Sequence, residues 1–197
     1  MRDTLIDISH PQEFIMSILD NKKNGHYVEL GAFHSTQGSN TNLLESELNW
    51  SGVSFEIVPH LHEEFVSNRK NPCILGDARE FNYISYFEEN NFPKQIDFLQ
   101  VDIDGGYKED GSPATDGYES LQGLLAIPLN TYRFSTITFE HDQNMDYRNA
   151  KIRDAQREIL SSFGYVLVGR LVHEDWWVDP KVIPLSKYRK YFVWNAA

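Results

Sequence analysis

Acidic residues recur where short apolar runs end. Residues 26–30, 52–56, 73–76, 96–101 and 134–139 have the near-continuous apolar character of strands buried in a sheet. They carry, or are followed by, Glu29, Glu56, Asp77, Asp102 and the triplet Glu140-His141-Asp142. If these runs are strands of one sheet with their C-termini along one edge, five carboxylates converge on one crevice. Like charges so placed repel, so the set calls for a cationic or hydroxyl-rich ligand.

The segment after the first run is the most informative. Residues 29–41 read Glu-Leu-Gly-Ala-Phe-His-Ser-Thr-Gln-Gly-Ser-Asn-Thr. Gly31 lets the backbone approach a ligand closely, and Gly38 lets the chain turn into a helix that Ser39 would cap. The spacing is not the dinucleotide pattern G-x-G-x-x-G. Glu29 also stands where a pyrophosphate-binding loop carries no negative charge, and an acid there suits a cationic amino-acid ligand. Glu56 can accept both hydroxyls of a ribose. Asp77, beside Ala78, can accept from an adenine amino group. Each of these is, taken singly, also an ordinary solvated strand-end acid. Together with the loop they describe an adenosine site.

The elements that must position these residues follow from periodicity. Helices are predicted over 11–19, from Ser39 onward with Leu43, Leu44 and Leu48 inward, and over 61–68, 84–89, 118–126 and 150–163. Two further strands are predicted at 165–172 and 191–194, joined by an irregular stretch. Strand and helix alternate five times, which gives an open α/β sheet with helices on both faces. Right-handed crossovers put the strand C-termini on one edge, and ligands bind there where strand order reverses. A length of 197 residues suits one domain. Its expected parts are an N-terminal helical extension over 1–24 and a catalytic core over 25–197.

Bulk properties narrow the classes of function. The net charge of −11 repels polyphosphate, so the expectation is no nucleic-acid partner. The densest basic stretch is only Lys187-Tyr188-Arg189-Lys190. Cys73 is the sole cysteine, which excludes an intramolecular disulfide and a cysteine-based zinc cluster; it reads as an inert core thiol. No signal peptide is visible, and no apolar run approaches the roughly 18 residues of a membrane span. The expectation is a cytoplasmic protein with no membrane partner. Its oligomeric state is open, a homodimer being one alternative.

The strings Tyr27-Val28-Glu29-Leu30-Gly31-Ala32-Phe33, Gly38-Ser39-Asn40-Thr41, Leu48-Asn49-Trp50-Ser51-Gly52 and Phe55-Glu56 resemble the opening of FkbM-type methyltransferases. They also resemble the wider class I S-adenosylmethionine-dependent family. Residues 96–104 and 137–142 match the later strands, so the resemblance covers roughly residues 25 to 180. It implies a Rossmann-like, doubly wound sheet of seven strands, mostly parallel with an antiparallel last strand. It also implies S-adenosylmethionine as cofactor, bound by Glu29, Gly31, Ala32, Phe33, Gly38, Ser39, Asn40, Thr41, Glu56, Asp77, Ala78 and Asp102. One position departs from the family: His34 stands where Asp or Gly is common.

Methyl transfer is an in-line displacement, for which the protein supplies alignment and deprotonation of the nucleophile. Asp102, Asp104, Glu140 and His141 form a hard-oxygen set with one imidazole, suited to Mg²⁺ or Mn²⁺. Metal-dependent O-methyltransferases of the catechol and macrolide-sugar type are similar. They use one acid after the fourth strand and two adjacent polar ligands after the fifth, here Asp102 or Asp104 with Glu140 and His141. The alternative is His141 as general base without a metal. The expected acceptor is a small molecule or glycan, most simply a hydroxylated sugar or glycan precursor. Residues 107–115 would form a lid, and 143–148 would add contacts to the acceptor. Trp176 and Trp177, read as lying between the last strands, either both pack or leave one exposed to stack on a flat ring. A nicotinamide-dependent oxidoreductase is disfavoured by the missing glycine pattern and by Glu29. A non-catalytic cofactor-binding module is disfavoured by Asp102 and Glu140-His141.

Overall fold

The computed structural model describes residues 11–103, 118–142 and 149–191. Seven strands form one sheet: β1 (His26–Leu30), β2 (Ser51–Glu56), β3 (Cys73–Leu75), β4 (Gln95–Val101), β5 (Arg133–Glu140), β6 (Val166–Arg170) and β7 (Glu174–Val178). Their order is β3-β2-β1-β4-β5-β7-β6. The first five run parallel, and β7 is antiparallel to both neighbours. The predicted mostly parallel seven-stranded α/β sheet is therefore what forms. Strand order reverses between β1 and β4, which opens a crevice at their C-terminal ends.

The two-residue period sorts the sheet into two faces. Tyr27, Phe98, Trp176 and Val178 point to one face and pack with Phe14, Ile15 and Ile18 of α1 (Pro11–Ile18) and Leu44 of α2 (Asn42–Ser46). Val28, Leu30, Leu99, Val101, Ile137 and Phe139 point to the other. They pack with Leu124 of α5 (Glu119–Ala126) and with Ile152 and Leu160 of α6 (Ala150–Ser162). In α6 the buried residues Ile152, Gln156 and Leu160 recur every four positions, so a single stripe of an otherwise polar helix meets the sheet.

Two other helices follow β2 and β3. α3 (Pro59–Asn68) begins on Pro59, whose missing N–H costs nothing in the first turn. α4 (Tyr83–Glu89) follows the 3₁₀ turn Ala78–Glu80, and the Asn82 side chain caps it by accepting from the Ser85 N–H. The N-cap of α2 is Thr41 rather than the expected Ser39; the Ser39 Oγ lies just before it and accepts from the N–H groups of Thr41 and Asn42.

The C-terminal part differs from the sequence reading. The stretch beginning at Glu174, expected to be an irregular connection, is β7 and sits inside the sheet between β5 and β6. Two adjacent acids before two adjacent tryptophans disguise the alternation, yet every residue of β7 is buried. Trp176 stacks on Phe14 at 4.7 Å between ring centroids, and Trp177 lies in the opposite core. Neither ring is left to stack on a ligand. Of the strand expected at 191–194, Tyr191 closes a 3₁₀ turn, Arg189–Tyr191, which follows the short α7 (Leu185–Tyr188); the rest lies outside the described residues. Cys73 is half-buried on the edge strand β3 rather than in the core. Burial, with Glu29 and Glu56 nearby, pushes its thiol up to about 12, so it is not a reactive thiolate. Among the described residues no helix is long and apolar enough to cross a membrane.

Trp177 is 1% exposed, and Trp177→Ala is expected to cost about 3–5 kcal/mol in urea unfolding. Leu125 is 63% exposed, and Leu125→Ala is expected to stay within about 0.5 kcal/mol of the parent.

Candidate active site

A cavity of about 570 Å³ opens at the C-terminal ends of the parallel strands, within the range of small-molecule sites. Each neighbouring strand end contributes to its wall. The loop after β1 gives Gly31, Ala32, Phe33, Gly38 and Asn40, and the end of β2 gives Glu56 and Ile57. The turn after β3 gives Asp77, Ala78 and Arg79. Asp102 and Ile103 follow β4, Glu140 ends β5, and Glu119 begins α5. Of the residues singled out in the sequence, Glu29, Ser39, Thr41 and His141 are not part of this wall. Asp104 and the segments 107–115 and 143–148 lie outside the described residues.

Gly31 has φ +85°, and a Cβ on it would meet the Asp102 carbonyl oxygen at 1.8 Å. Only glycine fits where the first loop crosses the end of β4. Beneath this loop lies a buried polar network that accounts for three of the residues missing from the wall. The Glu29 carboxylate accepts from Thr41 Oγ1 at 3.0 Å and from Ser54 Oγ at 2.5 Å. Arg69, at the C-terminal end of α3, donates through Nε to Glu45 at 2.9 Å. Its Nη1 donates to the Ser35 carbonyl at 2.9 Å and Ser39 Oγ at 3.2 Å. Its Nη2 donates to Thr41 Oγ1 at 3.0 Å and the Tyr27 hydroxyl at 3.3 Å. Glu29, Ser39 and Thr41 thus support the loop from below rather than facing the cavity. Burial pushes Glu29 up to about 7, against the pull of Ser54, Arg69 and Thr41.

His34, the departure from the family pattern, turns toward α3. Its Nδ1 lies 2.9 Å from Glu64 Oε2, and Glu64 Oε1 accepts from the Ser35 N–H and Oγ. These contacts, that of His34 foremost, hold Glu64 down at about 2. Phe33, left 62% exposed at the cavity mouth with φ +48°, donates its N–H to Glu56 Oε2 at 2.9 Å. Glu56 Oε1 accepts from the Val58 N–H at 2.8 Å. Two backbone bonds therefore fix the Glu56 carboxylate, and a carboxylate with about four acceptor sites keeps capacity for a diol.

Asp77 is held differently. Arg79 grips it through Nε, 2.9 Å from Oδ1 and 3.0 Å from Oδ2, and through Nη2 at 2.6 Å, and the Arg79 N–H adds a fourth bond at 2.9 Å. This pairing lowers the Asp77 carboxyl below its ordinary value. At the other end of the cavity Glu140 is raised far above the carboxylate range. Burial is the main cause, followed by the charge and hydrogen bonding of Asp102 and then of Asp142. The neighbouring Asp102 carboxylate thus favours the protonated form of Glu140.

Among the described residues the expected metal set does not come together, and Asp104 lies outside them. Glu140 and His141 are adjacent, so they point to opposite sides of the sheet. His141 is 3% exposed, and its Nε2 lies 3.8 Å from Asp175 Oδ1. Burial would raise Asp175. Its bidentate bonds from Arg157, at 2.6 and 2.7 Å, with His141 alongside, bring it below its ordinary value instead. His141 therefore serves neither as a ligand beside Asp102 and Glu140 nor as a base in the cavity. Among the described residues no group of three or more His, Cys, Asp or Glu side chains could hold a metal ion. Two charged residues of the wall were not anticipated. Glu119 looked like an ordinary acid in the first turn of a helix. Arg79 carried no signal beyond its place after Gly76-Asp77-Ala78.

No protein-family model matches the chain, and no curated protein does. Solved structures do match. Human methyltransferase-like protein 13, in complex with S-adenosylhomocysteine, aligns with TM-score 0.54 and 14% identity over 93% of this chain and 91% of its own. The "putative rRNA-methylase" of Clostridium thermocellum aligns with TM-score 0.53 and 12% identity over 87% and 97%. Human methyltransferase 10 domain containing protein aligns with TM-score 0.51 and 11% identity over 85% and 80%. The fold is that of the class I S-adenosylmethionine-dependent methyltransferases. The second of these structures overturns the exclusion of nucleic acid drawn from net charge. This architecture is compatible with an RNA acceptor, and docking depends on a local surface rather than on the charge of the whole chain.

The buried Glu29 gives a pH prediction. A carboxyl raised from 4.5 to about 7 on folding adds stability below the lower value, and that contribution is lost as pH rises toward the upper one. Between about pH 5.5 and about pH 8 the advantage of the parent over Glu29→Gln is expected to fall by about 2 kcal/mol. Paired urea titrations at the two pH values measure it.

Proposed function

We propose that this chain is an S-adenosylmethionine-dependent methyltransferase of the FkbM type, one catalytic domain that methylates a hydroxyl of a small acceptor such as a sugar or glycan precursor. The observation that carries the reading is the cavity at the strand-order reversal, with Glu56 buried and fixed in its wall. The loop containing Gly31 and Gly38 would receive the amino-acid end of the cofactor and Glu56 its ribose. The turn at 77–79 would lie beside its base. The residues present fit such a group: a fixed carboxylate suits a diol, and the acidic wall suits a cation. S-adenosylmethionine supplies a methyl group on a positively charged sulfur.

What the chain itself does is orient and deprotonate. An alcohol must lose its proton as it takes a methyl group, and a base has to stand beside it. The Asp102–Glu140 pair lies at the end of the cavity formed by β4 and β5. Once Glu140 has lost its own proton, its carboxylate can accept the one that the alcohol gives up.

The tests separate cofactor from acceptor. S-adenosylhomocysteine at a hundredfold excess over its Kd is expected to stabilise the protein by about 2.7 kcal/mol, while NAD leaves it unchanged; the reverse result would favour an oxidoreductase. Glu56→Gln, which keeps the shape of the side chain, should weaken S-adenosylhomocysteine at least tenfold, roughly 1.4 kcal/mol, in calorimetry. Transfer of a labelled methyl group into sugars, nucleotide sugars and RNA fractions tests the acceptor, and label in RNA alone would sink the sugar reading. With an acceptor in hand, the rate should rise with pH as Glu140 loses its proton. Glu140→Gln should lower kcat by about 10²–10⁴-fold and flatten that profile, with S-adenosylhomocysteine binding retained.

A further inference from the structure

We infer that Glu119, not Asp77, reads the amino edge of the purine in this cavity; the inference rests on the adenosine reading above. Asp77 is the obvious acceptor from its place at the end of β3, but Arg79 already occupies both of its oxygens with four hydrogen bonds, its Nε being shared between them. Glu119 presents the opposite case. It lines the cavity and is 6% exposed, and its Oε2 is buried without a hydrogen-bond partner. A buried carboxylate oxygen with no donor is costly to maintain. The group that relieves it must therefore be a donor.

Glu119 is also held in place. It begins α5, which packs on the Ala78–Glu80 turn. Arg79 extends from that turn to donate through Nη1 to Gln122 Oε1 at 2.9 Å, one helical turn beyond Glu119. Arg79 so ties the turn to α5 and sets Glu119 on the same side of the cavity as Asp77 and Ala78. With the ribose at Glu56, this is the base end. The ring nitrogens on the edge of an adenine are acceptors, which a carboxylate repels. Its exocyclic amino group is the one donor there. A carboxylate placed on the amino group accepts adenine; in a 6-oxo purine it meets the carbonyl oxygen instead, and the only donor on that edge is the neighbouring N1–H, one ring position away.

The experiment is calorimetry on the full chain with S-adenosylhomocysteine and S-inosylhomocysteine, in which an oxo group replaces the amino group and N1 becomes an N–H donor. The parent is expected to prefer the adenosyl ligand by about 100-fold. Glu119→Gln, whose amide can donate to the oxo group, should bring the two affinities within about threefold of each other, mainly by weakening the adenosyl ligand. Asp77→Asn should leave the ratio unchanged. Glu119→Ala should lose adenosyl affinity without gaining the inosyl ligand, and it decides the matter if the Gln variant has a lowered melting temperature. The parent preference surviving in both Glu119 variants, or disappearing in Asp77→Asn alone, overturns the inference while leaving the cofactor reading intact. A parent that binds neither ligand overturns both.

Discussion

All five N–H groups of Arg69 are engaged inside the protein, and the architecture of the site depends on that side chain. Its guanidinium lies over the Phe65 ring at 4.6 Å and joins α3 to β1, to α2 and to both ends of the stretch between Ser35 and Thr41. It stands between two buried acids, Glu29 and Glu45, which would otherwise repel each other across the base of the loop. A planar cation with fixed donors can hold five acceptors at once in a way that a lysine cannot. The backbone of the first loop, and through it the Phe33 N–H that fixes Glu56, is set by this one group.

The carboxylates in the cavity wall and in the structure behind it divide by how they are held. Glu64 and Asp77 are clasped by donors and lie below their ordinary range. Glu29, Glu140 and Glu174 are governed by burial and lie above it. The charge that a ligand meets at neutral pH is therefore smaller than the number of acids in the sequence implies. Of the acids that line the wall, Asp77 is balanced by Arg79 and Glu140 is held toward its neutral form.

Much of the sheet was legible because buried parallel strands are nearly continuous apolar runs. The glycine-bearing loop was legible because Gly31 answers a steric need that no other residue meets. What the sequence could not convey was depth. Glu29 and Glu56 are both strand-end acids, but Glu29 stands one residue before its strand ends and points into the sheet beside Ser54, while Glu56 is the terminal residue and reaches the cavity. The same alternation sends His141 away from Glu140, a separation that strict counting along β5 could have anticipated. Glu119 could not have been found this way, because its importance comes from Arg79 having already claimed Asp77, a contact across distant segments. β7 was missed because Glu174 and Asp175 look like loop residues, whereas one of them pairs with Arg157 in the interior.

Placing β7 inside the sheet leaves β3 and β6 as its two borders. β3 is three residues long. β6 has an irregularity in its pairing between Leu167 and Gly169 and ends in Arg170. A border that is short, or broken and charged, offers little continuous backbone to which a strand from another molecule could add. The tryptophan-rich strand, the one most prone to such pairing, is flanked on both sides and has no free edge to offer.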